Sequence, residues 1–237
     1  MKIGNAICIL AKPPENNELT VHLGNKQALQ LYRAFLLDSI AIALRVPRCQ
    51  VYLAYHPSTA RNDIEDIIYL FKNEEQNKSL VHKAVDIELI CQTGENSSQV
   101  LCNLSRTIFE KGAKRLLIIY PDSPLIDSVV LRAAFELLKK NNVILGPTFD
   151  GGHYLIALDN CYQELFQGVD WTKDNTYKQT IDKLAYLKLD LQELELSYDV
   201  GRLEELEQLY CDIDNFRLTG KDDICYHTEK CLANLKK

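Results

Sequence analysis

Short apolar runs alternate with segments of helical periodicity along most of this chain, and that alternation restricts the fold more than any single residue does. Ile3–Ala11 is a near-continuous apolar run, as expected of a parallel strand buried on both faces. A polar loop with Pro13, Pro14, Asn16 and Asn17 covers Lys12–Gly24. Ala28, Leu31, Tyr32, Phe35, Leu36, Ile40 and Ala43 then recur at helical spacing, and Pro47 ends that helix. Strands are predicted at Gln50–Tyr55, Asp86–Cys91, Arg115–Tyr120, Val143–Leu145 and His153–Leu158. Helices are predicted at Asp63–Phe71, Ser98–Lys111, Asp127–Lys140, Asn160–Phe166 and Lys173–Leu184. Asn73–Lys83 reads as a polar surface excursion. Leu187–Leu196 is a weaker strand, Arg202–Leu209 a helix, and Ile224–Leu235 a short terminal helix. The pattern predicts a three-layer α/β/α sandwich around a mainly parallel sheet. No linker divides the 237 residues, so residues 1–237 are read as one domain.

Composition removes several functional classes. A net charge of −6 without a basic stripe argues against nucleic-acid binding, which must neutralise phosphates. No run of 18 apolar residues is present, so no transmembrane helix is expected. The stretch Met1–Leu10 lacks a small-residue cleavage site and reads as a first strand rather than a signal peptide, which implies a cytoplasmic chain. Eight cysteines are scattered without a Cys-x-x-Cys pair, and several sit in apolar runs, where cysteine acts as a small hydrophobe. No disulfide framework is expected. Cys225, His227 and Cys231 offer three metal-ligating side chains, but their spacing fits no common zinc module. There is no Gly-x-Ser-x-Gly elbow, P-loop or Gly-x-Gly-x-x-Gly fingerprint.

The chemistry-bearing residues cluster at strand ends. Asp122 follows Leu116–Tyr120, and Asp150 follows Val143–Pro147. In an open parallel sheet, ligands bind beyond the carboxyl ends of the strands. Asp122 is either a ligand to a hard cation such as Mg2+, which one or two carboxylates hold together with substrate phosphates, or part of a helix start with Ser123 and Pro124. Asp150, before Gly151-Gly152, is either a general base and acceptor-binding acid or the self-capping acid of a Gly-rich turn. Asp199 either reaches the same crevice or faces solvent near the start of the following helix. Lys12, His22 and Lys173 are the cations to consider for phosphate. His153 sits beside the Asp150 turn, and its charge depends on its surroundings. Trp171, the only tryptophan, is either a stacking platform or a packed core residue.

Taken together, these segments resemble a bacterial family of nucleotide-diphospho-sugar transferase-like proteins of the glycosyltransferase A type, called radical-SAM/selenodomain-associated transferases. The resemblance runs from Ile7 to Leu209, leaving 212–237 as a C-terminal extension. It rests on Ala11-Lys12-x-Pro14, Leu31–Asp38, Asp122-Ser123-Pro124 and, most specifically, Gly146-Pro147-x-x-Asp150-Gly151-Gly152-His153-Tyr154. Leu165-Phe166, Trp171 and Asp199-Val200 continue it. It implies a Mg2+ or Mn2+ ion at Asp122, nucleotide phosphates on the first loop, and a nucleotide or nucleotide-sugar ligand. Several basic positions depart from the family. Thr20 and His22 stand where lysine and arginine are usual. Asn96–Val100 lacks an arginine. Tyr120-Pro121 replaces a turn of small residues, and Gly201 replaces a second late acid. Each lost charge-assisted contact to phosphate would cost about 1.5–3 kcal/mol; three together would lower affinity about a thousandfold or more.

Three functions follow. One is a metal-dependent transferase using a nucleotide-activated donor, with Asp150 on the acceptor. Another is a binding or scaffolding protein that kept the fold and lost donor binding. The last is a nucleotidyltransferase that releases pyrophosphate.

Overall fold

The computed structural model describes residues 4–11, 18–171 and 175–235. Seven strands are β1 (Asn5–Ala11), β2 (Cys49–Tyr55), β3 (Glu88–Cys91), β4 (Arg115–Ile119), β5 (Val143–Pro147), β6 (His153–Leu158) and β7 (Leu191–Glu193). The helices are α1 (Glu18–Leu23), α2 (Asn25–Leu44), α3 (Arg61–Asn73), α4 (Val81–Ala84), α5 (Ser97–Glu110), α6 (Ser128–Leu137), α7 (Gln163–Phe166), α8 (Thr176–Leu187), α9 (Leu203–Leu218) and α10 (Tyr226–Leu235). The strands form one sheet in the order β3-β2-β1-β4-β6-β5-β7.

Why β1 is apolar throughout is visible in its alternation. Ile7, Ile9 and Ala11 join a core with residues of α2, α3 and α6. Ala6, Cys8 and Leu10 join a second core with Leu101, Leu104 and Ile108 of α5, Leu165 and Phe166 of α7, and Leu184 of α8. Both faces of the sheet are therefore covered, which gives the expected three layers. A third apolar cluster lies beside the sheet, where α1 and α2 meet α9 and α10.

Six strands run in one direction; β6 is antiparallel to both of its neighbours, β4 and β5. The cause is the connection. Only Thr148–Gly152 separates β5 from β6, and a parallel crossover needs a dozen or more residues. The segment around Asp150 is thus a hairpin, and β6 inserts between β4 and β5. The other strands keep their carboxyl ends on one edge. Asp122 lies just beyond β4, Asp150 beyond β5, and Asp199 beyond β7, where Ser197 bridges to Thr148.

Several local expectations are corrected. The Lys12–Gly24 loop holds a helical turn, α1, with Leu19 and Thr20 buried. The helix after β4 starts later than Asp122-Ser123-Pro124: its cap is Asp127, whose Oδ1 accepts a 2.8 Å bond from the Val130 N–H. The helix after Asp199 continues through Asp212 to Leu218, so the boundary at 212 falls inside α9. The stretch 73–83 is not all surface: Asn77 and Leu80 are buried, and Asn77 donates a 3.0 Å bond to the Phe71 carbonyl. Cys225 donates to the Pro124 carbonyl at 3.1 Å, and the His227 ring meets Asn77 Nδ2 at 3.2 Å.

Candidate functional site

The carboxyl edge of the sheet opens into a cleft of two adjoining lobes. The larger, about 780 Å³, lies between α1, α2, the start of α5 and the loop before α9. The smaller, about 210 Å³, lies over the β5–β6 hairpin. Tyr120, Asp122, Asp150, Trp171 and Asp199 line both and form the wall between them.

Each of the three acids is placed by backbone. Asp122 sits in the turn after β4, and its carbonyl accepts a 2.7 Å bond from the Val200 N–H, tying the Asp199 loop to that turn. That loop is braced from its other side by Glu205, whose Oε2 accepts from the Gly201 and Arg202 N–H groups at 2.9 and 2.7 Å. Asp150 lies at the hairpin tip. Its Oδ1 accepts from Thr148 Oγ1 at 2.5 Å and from the Gly152 N–H at 3.1 Å. The turn-capping reading of Asp150 therefore holds, and it leaves the residue on the cleft wall. Gly151 adopts φ 87°, a value that side chains disfavour. A side chain at Gly152 would come within 3.0 Å of Thr148 Oγ1 and 3.2 Å of Asp150 Oδ1.

Asp199 does not face bulk solvent. Burial, followed by the charges of Asp122 and Asp150, pushes its carboxyl up to about 7. Three carboxylates thus share one electrostatic environment. Among the described residues, no group of three or more His, Cys, Asp or Glu side chains forms a ready-made metal cage. The larger lobe is acid-rich as a whole. Its described lining holds Glu18, Glu95, Asp122, Asp150, Asp199 and Glu205, against Arg202 and His56. The N-terminus of α5, with Asn96 as its cap, also opens onto this lobe and brings a partial positive charge.

The smaller lobe is floored by His153 and Ser123. The His153 ring packs edge-on against Tyr120 at 5.8 Å and against Trp171 at 5.0 Å. The residue as a whole keeps some exposure, but both ring nitrogens are shut away from solvent and, among the described residues, have no hydrogen-bond partner. Burial pulls the imidazole down to about 4, against the opposing charge of Asp150, so it is neutral at ordinary pH. Ser123 is 3% exposed and its Oγ is likewise without a partner.

Of the residues singled out by sequence, the structure brings Asp122, Asp150, Asp199, Ser123, Gly152, His153 and Trp171 to the cleft. Trp171 is also packed: its ring tilts against Phe166 at 5.6 Å, and its Nε1–H donates to the Phe166 carbonyl at 3.4 Å. Gly151 shapes the turn without lining the cleft. His22 is exposed on α1 and away from the lining. Lys12 and Lys173 lie outside the described residues. Thr148 and Thr176 also line the smaller lobe, and Thr20, His56 and Gln92 the larger. Sequence reasoning marked Thr20 only as a departure from a basic position and did not select the others, because a lone threonine, histidine or glutamine carries no distinguishing pattern.

Comparison with known proteins fits this geometry. A solved structure from Desulfovibrio desulfuricans G20, a candidate nucleotide-diphospho-sugar transferase, superposes with a TM-score of 0.76. It is 22% identical over 98% of this chain and 99% of that chain. The 4-diphosphocytidyl-2C-methyl-D-erythritol synthase of Anaerococcus prevotii DSM 20548 matches at 10% identity and TM-score 0.52, over 88% of this chain and 96% of that one. A CMP:2-keto-3-deoxy-manno-octonic acid synthetase complexed with CTP matches at 10% and 0.53, over 89% and 99%. At these identities the likeness establishes the fold. No curated protein matches the sequence. Among the described residues, no helix is long and apolar enough to cross a membrane. The model of a family described as uncharacterized proteins conserved in bacteria, DUF2064, matches residues 40–173. That span is more than half of the chain and contains Asp122, Asp150 and His153. The chain belongs to this bacterial family and carries the nucleotide-diphospho-sugar transferase-like fold.

Proposed function

We propose that this protein is a metal-dependent transferase that takes a group, a sugar in the simplest case, from a nucleotide-activated donor to an acceptor. The observation that carries the reading is the wall of three acids between two lobes at the carboxyl edge of the sheet. A donor and an acceptor need adjoining pockets with the reacting atoms between them.

The carboxylates suit Mg2+ or Mn2+. They are hard oxygen donors, and burial, together with the charges of Asp122 and Asp150, raises Asp199 and leaves a negative site that a divalent cation would offset. Asp122 would hold the ion, with Asp199 beside it. The ion would offset charge on the departing diphosphate. The larger lobe would take the nucleotide. Its acidic lining disfavours bare phosphates, and the partial positive charge at the start of α5 offsets this only in part. Asp150 would orient or deprotonate the acceptor, its carboxylate fixed by Thr148 and the Gly152 N–H.

A donor pocket filled by Tyr120 and Pro121 would favour the scaffold reading. Tyr120 and Pro121 form part of the wall of the larger lobe and leave about 780 Å³ open beside them, within the ordinary size range of ligand sites. A pyrophosphate-releasing nucleotidyltransferase is the second reading, favoured by the CTP-bound synthetase that shares the fold. The acid-rich lobe counts against it, because a triphosphate brings more negative charge than a diphosphate.

Turnover assays separate the three. With Mn2+ and a panel of nucleotide sugars, nucleoside diphosphate release that Asp122→Ala abolishes is the expected result. Pyrophosphate release from nucleoside triphosphates would move the protein to the second reading. No turnover and no nucleotide binding with any donor would leave the scaffold.

A further inference from the structure

We infer that the smaller lobe binds an uncharged, hydroxyl-bearing group of polyol type, held by Ser123 and His153 against Asp150. This rests on the reading of the site above and names its acceptor class.

Size is the first constraint. The lobe of about 210 Å³ is far above the roughly 10–15 Å³ that a single water needs. A small polyol, or the hydroxylated end of a larger molecule, fits that space.

Hydrogen-bond chemistry is the second constraint. Buried polar groups are nearly always partnered, and each exception calls for an explanation. Here two neighbours on one small pocket are exceptions at once. Ser123 Oγ and both His153 ring nitrogens are shut away from solvent and have no partner among the described residues. A neutral imidazole offers one donor and one acceptor, and a serine hydroxyl offers both. The complementary ligand must therefore accept as well as donate. Hydroxyl groups do both. An ammonium only donates, so it leaves the imidazole N–H unmet. A carboxylate or phosphate only accepts, and it would face Asp122, Asp150 and Asp199 across the lobe.

Position is the third. The lobe shares its wall of acids with the larger lobe, so a hydroxyl held here lies next to the proposed donor site. The bonds from Thr148 and Gly152 both reach Oδ1 of Asp150, and the fixed carboxylate borders the same space.

Trp171 makes the test direct. It is the only tryptophan and its ring touches His153, so its fluorescence reports occupancy of this lobe without nucleotide or metal. The metal-free protein would be titrated with glycerol and erythritol, with 2-amino-1,3-propanediol, and with glycerate. Expected is a saturable change with the polyols, at least tenfold weaker with the amine and the acid. Ser123→Ala and His153→Phe should each weaken polyol binding about tenfold, and His153→Gln, which keeps a donor and an acceptor, should recover part of it. Ser123→Ala removes one buried atom and keeps the test open if His153→Phe misfolds. Tighter binding of the amine or the acid, or no saturable response to any probe, overturns the inference. The two readings fail separately. Polyol binding without nucleotide binding sinks the transferase reading, whereas nucleotide binding without a polyol response sinks this one.

Discussion

Two aspartates of this chain, the buried Asp38 and the half-buried Asp199, are handled in opposite ways. Asp38, on α2, accepts from the His227 and Thr228 N–H groups at 2.9 Å each and from Thr228 Oγ1 at 2.6 Å. Those donors sit at the start of α10, so Asp38 caps that helix from across the α2 interface. Burial raises its carboxyl, while the charge of His227 and these bonds pull the other way. Asp199 has the carboxylates of Asp122, Asp150 and Glu205 as its charged neighbours instead. The histidines repeat the contrast. The His227 ring meets Asn77, and the His153 ring meets no hydrogen-bonding group among the described residues. A buried acid surrounded by donors is architecture. A half-buried acid facing other acids stores unfavourable energy that a cation can relieve, and such places are candidates for function.

The largest effect should come from breaking the satisfied acid. Asp38→Ala leaves two backbone N–H groups and a hydroxyl unpaired in a dry site. We expect a loss of about 3–5 kcal/mol in urea unfolding, with α10 released from α2. A loss under about 1 kcal/mol would mean that α10 docks by its apolar face alone.

Asp199 should respond with the opposite sign. Its carboxyl rises from 3.8 unfolded to about 7 folded, so between those values the native state holds a proton that the unfolded chain has released. Stability therefore falls as pH rises through that window, by at most about 4 kcal/mol, and levels off above pH 7. Asp199→Asn should remove this slope and be more stable than the parent at pH 8. Equal slopes in the two proteins would place the acid in a relaxed setting. Saturating Mn2+ should flatten the slope of the parent as well, because the ion takes the place of the proton.

A smaller effect is expected at the hairpin. Thr148→Val removes the hydroxyl bonded to Asp150 and should cost about 1 kcal/mol. Under the proposed function it should also lower turnover about tenfold, with little change in donor binding. A fall in donor affinity instead would place Asp150 on the donor side of the wall.

The layered fold was legible because β1 and β4 are apolar on both faces, a pattern that helices on both sides of a sheet require. The direction of β6 was not. Alternation carries no sign, and the deciding fact was the five-residue connection, which is too short for a crossover. Gly146 was read as part of a motif. Its reason is packing: a side chain there would lie 2.4 Å from the Tyr154 ring. The acids Asp122 and Asp150 were legible from strand ends, and Asp199 only as an acid before a helix that either reaches the crevice or faces solvent. Their coupling was not, since it depends on how β7 and the loop before α9 return to the edge. The Asp38 clamp was invisible for the same reason, with its partners about 190 residues away. His22 misled because a cation in the right sequence neighbourhood points wherever its helix turns it.

The central claim, that the acid wall is a cation-dependent ligand site, is tested most directly by calorimetry. Nucleoside diphosphates and nucleotide sugars would be titrated into the protein with and without Mn2+, and into Asp122→Ala. The account predicts binding only when Mn2+ is present, and its loss in the variant. Nucleotide binding of equal strength without metal, or undiminished in Asp122→Ala, would contradict it.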